Sequence, residues 1–198
     1  MPKLLSAPAS PYSAKARMAA AHAGIAVEIV DTETNQPSEA LLKINPLGKI
    51  PVLILDDGEA VFDSRVITQQ LNRMSGGKLF PRSPAKRLEA EKLEALADGI
   101  CDVLLAHVYE RRMRPEEKVH QPWLDRQFAK ALRGLDALCA DMPGLPQRIH
   151  VGHIALRAAL GYASLRFGGK WEKGRGKLTR WAARFDKKFP DLVPLLPS

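Results

Sequence analysis

Residues 45–71 read NPLGKIPVLILDDGEAVFDSRVITQQL, and the change of pattern along them is the most informative in the chain. Val52 to Leu55 is a continuous apolar run, as expected of a buried strand. Asp57-Gly58 is a strong hairpin-turn signal, and Ala60 to Phe62 reads as the return strand. From Ser64 to Asn72 the spacing of Val66, Ile67 and Leu71 becomes helical. Upstream, Lys3 to Ser6 is a short apolar strand. Ser10 to Ala23 is an Ala-rich helix stopped by Gly24. Val27 to Val30, VEIV, alternates as a strand does, and Pro37 to Ile44 reads as a short helix starting near Gln36 or Ser38. The order strand, helix, strand, helix, strand, hairpin, strand, helix is that of a small mixed α/β unit.

SGGKLFPRSP, Ser75 to Pro84, is rich in Gly and Pro and marks a boundary. The expected division is a first domain over 1–75, a linker over 76–83 and a second domain over 84–198. No strand pattern follows the break. Leu93, Leu96, Ile100, Val103, Leu104 and Val108 mark one face of a long helix. A second helix is expected from about Trp123 to Cys139, with Phe128, Leu132, Leu135 and Leu138 inward. A third covers Val151 to Phe167 and a fourth about Leu178 to Phe185, giving an all-helical bundle.

Bulk composition narrows the function classes. The chain has 198 residues, 45% of them hydrophobic and 26% charged, which is ordinary for a globular protein. No uncharged apolar run approaches the ~20 residues that span a bilayer. The N-terminus is interrupted by Ser6, Pro8, Ser10 and Pro11 and followed by Lys15 and Arg17, a pattern unlike a signal peptide and in keeping with a cytoplasmic protein. Cys101 and Cys139 stand alone in helical stretches and read as small apolar residues rather than a disulfide or metal pair. The net charge is +8, yet residues 1–80 carry eight basic and eight acidic side chains, so the whole excess lies beyond them. Nine basic residues fall between Arg166 and Lys188. Without a reader motif or interleaved aromatics, this is a solvated face rather than a nucleic-acid site.

Three features carry chemistry. In ASPYSAKAR, Ala9 to Arg17, Ser10 is placed to cap a helix, with Pro11 at the favoured first position. Helix capping alone accounts for it. The same geometry aims a hydroxyl, free N–H groups and the positive helix end at one point, where a thiolate would be stabilised. Hydroxyls at both ends of Ser10-Pro11-Tyr12-Ser13 exclude an internal dithiol, so that sulfur would arrive on a cofactor. Ile50-Pro51 opens a strand with a proline. Its peptide bond is either cis, leaving the Ile50 N–H and C=O to pair with an extended peptide, or trans at a strand edge. Asp63-Ser64 sits at a strand-to-helix switch. It is an ordinary N-cap, or a site where the Ser64 N–H and hydroxyl take a carboxylate while Asp63 takes an ammonium.

In this order and spacing, SPYSAKAR followed by NPLGKIPVLILDDGEAVFDSRVITQQL resembles the glutathione-binding domain of glutathione S-transferases. The chain is most similar to short bacterial members with a Ser-Pro-aromatic start. EALADGICD, Glu94 to Asp102, looks like their first bundle helix, so the resemblance covers nearly the whole chain. It implies a thioredoxin-like N-terminal domain, a helical C-terminal domain and a cis Pro51. It implies glutathione as co-substrate, with Ile50 pairing with its cysteinyl part, Lys49 beside the tripeptide, and Asp63 and Ser64 on its γ-glutamyl end. Ser10 would hydrogen-bond the sulfur and hold it as a thiolate for attack on a small electrophile. A cytoplasmic homodimer with a role in detoxification is the family's usual state, and neither a membrane nor a nucleic-acid partner is expected. Two other readings stay open: a glutathione-dependent disulfide reductase or peroxidase, and a non-catalytic protein of the same fold that docks an acidic partner.

One departure stands out. Where the family commonly carries a Ser/Thr-x-x-Asp capping box, this chain has His150 and His153. Imidazole is expected to cap less well, and no third ligand accompanies the pair to make a metal site. The electrophile's pocket is expected between the two domains, with Tyr109, Arg111 and Arg112 as candidates near the end of the first bundle helix.

Overall fold

The computed structural model describes all 198 residues. Strand β1 (Lys3–Ser6) leads to helix α1 (Pro11–Ala23), strand β2 (Glu28–Asp31) and helix α2 (Glu39–Ile44). Strands β3 (Val52–Ile54) and β4 (Ala60–Val61) and helix α3 (Ser64–Met74) follow. Beyond them run only helices: α4 (Pro84–Met113), α5 (Gln121–Ala140), α6 (Val151–Phe167) and α7 (Gly176–Lys188). Short 3-10 segments lie at Glu116–Lys118 and Pro190–Leu195. The architecture is the expected one, a thioredoxin-like α/β part followed by an all-α part, with element ends moved by a few residues.

The sheet order is β2-β1-β3-β4. β1 pairs parallel with β2, Leu4 opposite Ile29, and antiparallel with β3, Leu4 opposite Leu53. β3 and β4 form the hairpin announced by Asp57-Gly58, where Gly58 takes φ 88°. β2 is an edge strand: its Ile29 is about half exposed, so the alternation of VEIV marks a strand without marking a buried face.

Helix α1 is built as its sequence suggests. Ser10 caps it, Pro11 opens it, and Gly24 closes it at φ 74°, with the Ile25 N–H bonded to the Ala20 carbonyl at 2.9 Å. This left-handed position requires glycine or a near substitute. Its alanines do more than favour a helix. Ala14, Ala16, Ala19, Ala20 and Ala23 are all buried, because α1 packs on both α3 and α6. Small side chains let those helices approach.

Helix α6 is the centre of the helical part. It is apolar nearly all round, from Val151 to Ala163, as a helix surrounded by others must be. Its main neighbour is α4. Gly152 marks their closest approach: a Cβ there would lie 2.7 Å from the Ala90 carbonyl oxygen and 2.9 Å from the Leu93 Cβ. His150 and His153 do form a cap. The Gly152 N–H donates to His150 Nδ1 at 3.2 Å, and the His150 N–H donates to His153 Nδ1 at 3.2 Å. His153 Nε2 lies 2.9 Å from the Gly144 carbonyl. Two neutral imidazoles thus reproduce the reciprocal bonds of a capping box.

The expected inward face of α4 is corrected at one position. Leu96 is exposed, whereas Ile100 and Leu104 are buried as expected, Leu93, Val103 and Val108 pack against the core, and Ala90, Glu94, Ala97, Asp98 and Cys101 join the buried face. Acidic residues on that face find partners on other helices, which an apolar count does not detect.

Candidate functional site

The loop from Ala7 to Ser10 is held from below. Arg17, buried in α1, donates from Nη1 to Ser6 Oγ at 2.6 Å and to the Ala7 carbonyl at 3.1 Å. Its Nη2 reaches the Pro8 and Leu195 carbonyls at 3.2 and 3.1 Å. Ser13 is fully buried, and its hydroxyl accepts the Ala7 N–H. Ser10 is thereby fixed at the head of α1. Its Oγ accepts the Ser13 N–H at 3.2 Å, which uses acceptor capacity and leaves the hydroxyl proton free to be donated. Pro11 has no N–H, and the Tyr12 N–H has no partner in the chain.

The second wall is the loop from Asn45 to Pro51. Asn45 is buried and braces it from both ends, donating to the Lys49 carbonyl at 2.8 Å and accepting the Leu47 N–H at 3.1 Å. Gly48 takes φ 61°, and a Cβ there would press on Pro37 at 3.1 Å. The Ile50–Pro51 peptide is cis, as is Phe62–Asp63. Neither the N–H nor the C=O of Ile50 has a partner in the chain. The third wall is the start of α3. Asp63 caps it by accepting the Arg65 N–H at 2.8 Å, and the Ser64 hydroxyl leans on Asp63 at 3.4 Å. The Ser64 N–H is left without a partner at the positive end of the helix.

These walls enclose one cavity of about 1120 Å³. Ser10, Lys49, Ile50, Pro51, Asp63 and Ser64 all line it. Tyr109 and Arg112 line it too, whereas Arg111 does not. Arg111 turns away to Glu116 and to Gln121, the latter at 2.7 Å, because consecutive helical residues point about 100° apart.

Two further cavity residues escaped the sequence reading. The Tyr12 hydroxyl donates to Asp102, and burial with that hydrogen bond pushes the phenol well above its ordinary range. Behind this pair Lys15 is buried, its Nζ 3.1 Å from Glu94 and 2.8 Å from Asp98. Arg65 of α3 reaches Asp98 at 2.8 Å, and Thr68 reaches Glu94 at 3.1 Å. The signal was present. Glu94, Asp98 and Asp102 recur every fourth residue of α4, and Tyr12 and Lys15 are three apart on α1. The two stripes face each other.

The chain offers no thiolate of its own here. Cys101 is buried, and desolvation pushes its thiol up. Cys139 does not line the cavity.

Comparison with known proteins bears on the family and the fold. Residues 4–78 match the N-terminal domain of glutathione S-transferases. The uncharacterized GST-like protein YibF of Escherichia coli (strain K12) is 33% identical over 168 residues, 83% of each chain. A glutathione S-transferase of Methylobacillus flagellatus KT, crystallised with glutathione bound, superposes with a TM-score of 0.88 at 35% identity, covering 98% of this chain and all of that one. A glutathione transferase family member of Pseudomonas fluorescens Pf-5, also with bound glutathione, gives a TM-score of 0.88 at 33% identity over the full length of both. With sequence and fold matching along almost its whole length, this chain belongs to the glutathione S-transferase family.

Proposed function

We propose that the cavity binds glutathione and that the chain transfers it to a small electrophile, with Ser10 holding the sulfur as thiolate. One observation carries this reading. The cavity contains two side-chain hydroxyls near the head of α1, and only Ser10 has its proton to give, since Tyr12 is committed to Asp102. A thiolate at this point gains a hydrogen bond from Ser10 and the favourable end of the α1 dipole. The unpartnered Ile50 N–H and C=O suit the cysteinyl backbone of an extended peptide. The Ser64 N–H and hydroxyl suit the γ-glutamyl carboxylate, Asp63 its ammonium, and Lys49 stands beside the tripeptide. The thiol proton leaves to solvent, the sulfur attacks the electrophilic carbon, a C–S bond forms, and the leaving group departs with its electron pair. Related chains crystallised with glutathione support the choice of thiol. Residues 1–75 would serve glutathione and residues 84–198 the electrophile. A cytoplasmic homodimer is the working state this reading carries.

The test is turnover of chlorodinitrobenzene with glutathione by wild type, Ser10→Ala and Ser10→Asn. Asn keeps a capping acceptor but removes the hydroxyl. Both variants are expected to lose roughly tenfold to a hundredfold in kcat/KM, as when a positioned donor is removed from a developing or held anion. The ultraviolet absorbance of bound thiolate should shift to higher pH. Unchanged turnover in both would reduce Ser10 to a helix cap.

A further inference from the structure

The cavity extends past Ser10 along one face of α4 and the second half of α6. Leu105, Val108, Tyr109 and Arg112 line it at helical spacing on α4, and Tyr162 and Arg166 line it four residues apart on α6. The floor is apolar and aromatic, and the two guanidinium groups stand at its exposed edge. Arg112 lies over the Tyr109 ring, 5.6 Å from its centroid. Arg166 stands beside the buried Tyr162 hydroxyl. Neither arginine has a carboxylate at ion-pair distance, unlike their neighbours Arg111, Arg114 and Arg157.

The acids of the cavity do not fill that role. Asp102 accepts the Tyr12 hydroxyl, and Asp63 accepts the Arg65 N–H. Glu33 is near enough to feel the Arg112 charge, but its Oε1 is taken by the Thr34 and Asn35 N–H groups at 2.7 and 2.6 Å. Asp31 also lines the cavity and pairs with neither arginine. Two guanidinium groups without a carboxylate partner at the edge of an aromatic floor match an anion carried on an apolar body, because each offers a planar fork of donors to a carboxylate.

We infer that the electrophile used by this chain bears a carboxylate, held by Arg112 and Arg166 while its apolar part rests on Leu105, Val108 and the two tyrosines. This rests on the transferase reading above and gives its substrate class. The step itself is unchanged: the glutathione sulfur bonds to the electrophilic carbon, and the leaving group takes the electron pair of the broken bond.

The experiment compares two aryl chlorides, neutral chlorodinitrobenzene and anionic chloronitrobenzoate, both releasing chloride. The readout is the ratio of their kcat/KM values, acid over neutral, in wild type, Arg112→Gln and Arg166→Gln, with the KM for glutathione measured alongside. Each substitution is expected to lower the ratio by roughly tenfold, the scale of one charge-assisted contact at a solvated edge. Arg112→Lys should restore part of it, since charge remains but the fork is lost. A ratio unchanged in both variants overturns the inference. So does a loss confined to the KM for glutathione and equal for both electrophiles, which would give the arginines to the tripeptide's own carboxylate. A wild type that binds glutathione in titration but turns over neither chloride overturns the transferase reading and this inference together. Turnover of the neutral chloride with an unmoved ratio overturns only the latter.

Discussion

At the scale of the residue, Lys15 shows how far a side chain's role depends on what it meets. A lysine one turn into an Ala-rich helix reads as a solvated charge, yet this one is 1% exposed. Together with Arg65 it neutralises Glu94 and Asp98 at the junction of α1, α3 and α4. Burial pushes the Glu94 carboxyl up, and Lys15 opposes that shift. Replacing Lys15 by Met leaves Glu94 without a cation and Asp98 with Arg65 alone, and removal of one partner from such a buried cluster costs about 3–5 kcal/mol. Urea unfolding should show that loss as a lower midpoint. A Lys15→Met variant as stable as wild type would mean the cluster is hydrated in solution. Ser10 is different in kind. Its place at a helix start was legible in Ser-Pro spacing, because capping is a local event. That it is the one of the two hydroxyls with a proton to give was not, since this depends on Tyr12 finding Asp102 ninety residues away.

At the scale of the element, α6 is defined by its start. His150 Nδ1 must be unprotonated to accept the Gly152 N–H. Burial, and then the neighbouring His153, push the His150 imidazole down to about 4. His153 is pushed down as well, chiefly by burial. The unfolded chain therefore binds protons that the folded chain refuses, so stability rises with pH across this window. The contribution is complete above about pH 6.5 and is lost as pH falls toward about 4. His150→Ser supplies a hydroxyl cap that does not titrate. Urea midpoints of wild type and His150→Ser, taken at pH 7 and pH 5, should diverge at the lower pH; parallel midpoints would count against the imidazole cap. Gly152 sets the other limit on this helix. With the Ala90 carbonyl 2.7 Å from where a Cβ would stand, Gly152→Ala must separate α6 from α4. Overpacking of this kind costs about 1–3 kcal/mol, readable as a lower Tm. An unchanged Tm would show that α4 yields without strain. The helix itself was visible as an apolar run, but the need for Gly at its second position was not, because it comes from a backbone on another element.

At the scale of the whole molecule, the apolar core does not divide where the sequence composition does. One cluster of 36 buried residues runs from Leu4 and Met18 through Ile67, Leu104 and Ile154 to Trp181 and Leu192. Arg17 and the Pro8 carbonyl join the loop before α1 to the last residues of the chain. Unfolding by urea is therefore expected as one cooperative transition. Tryptophan fluorescence reports only the helical part, since Trp123, Trp171 and Trp181 all lie there. Far-ultraviolet circular dichroism reports the whole chain. Coincident curves are the expected result, and two separated transitions would show that the core is divided into independent units.

The sequence by itself determined the elements and their order, with ends to within a few residues, since apolar period, Gly and Pro placement and capping residues act over a few neighbours. It also placed Ser10, Ile50-Pro51 and Asp63-Ser64 at loop-to-element junctions, where backbone groups are left unpaired. The tertiary structure alone decided that those junctions meet in one cavity. It decided which charges are buried, and that Arg112 faces the cavity while Arg111 faces away. Those outcomes rest on contacts between residues far apart in the chain and on the direction of each side chain about its helix, and neither is written in local spacing.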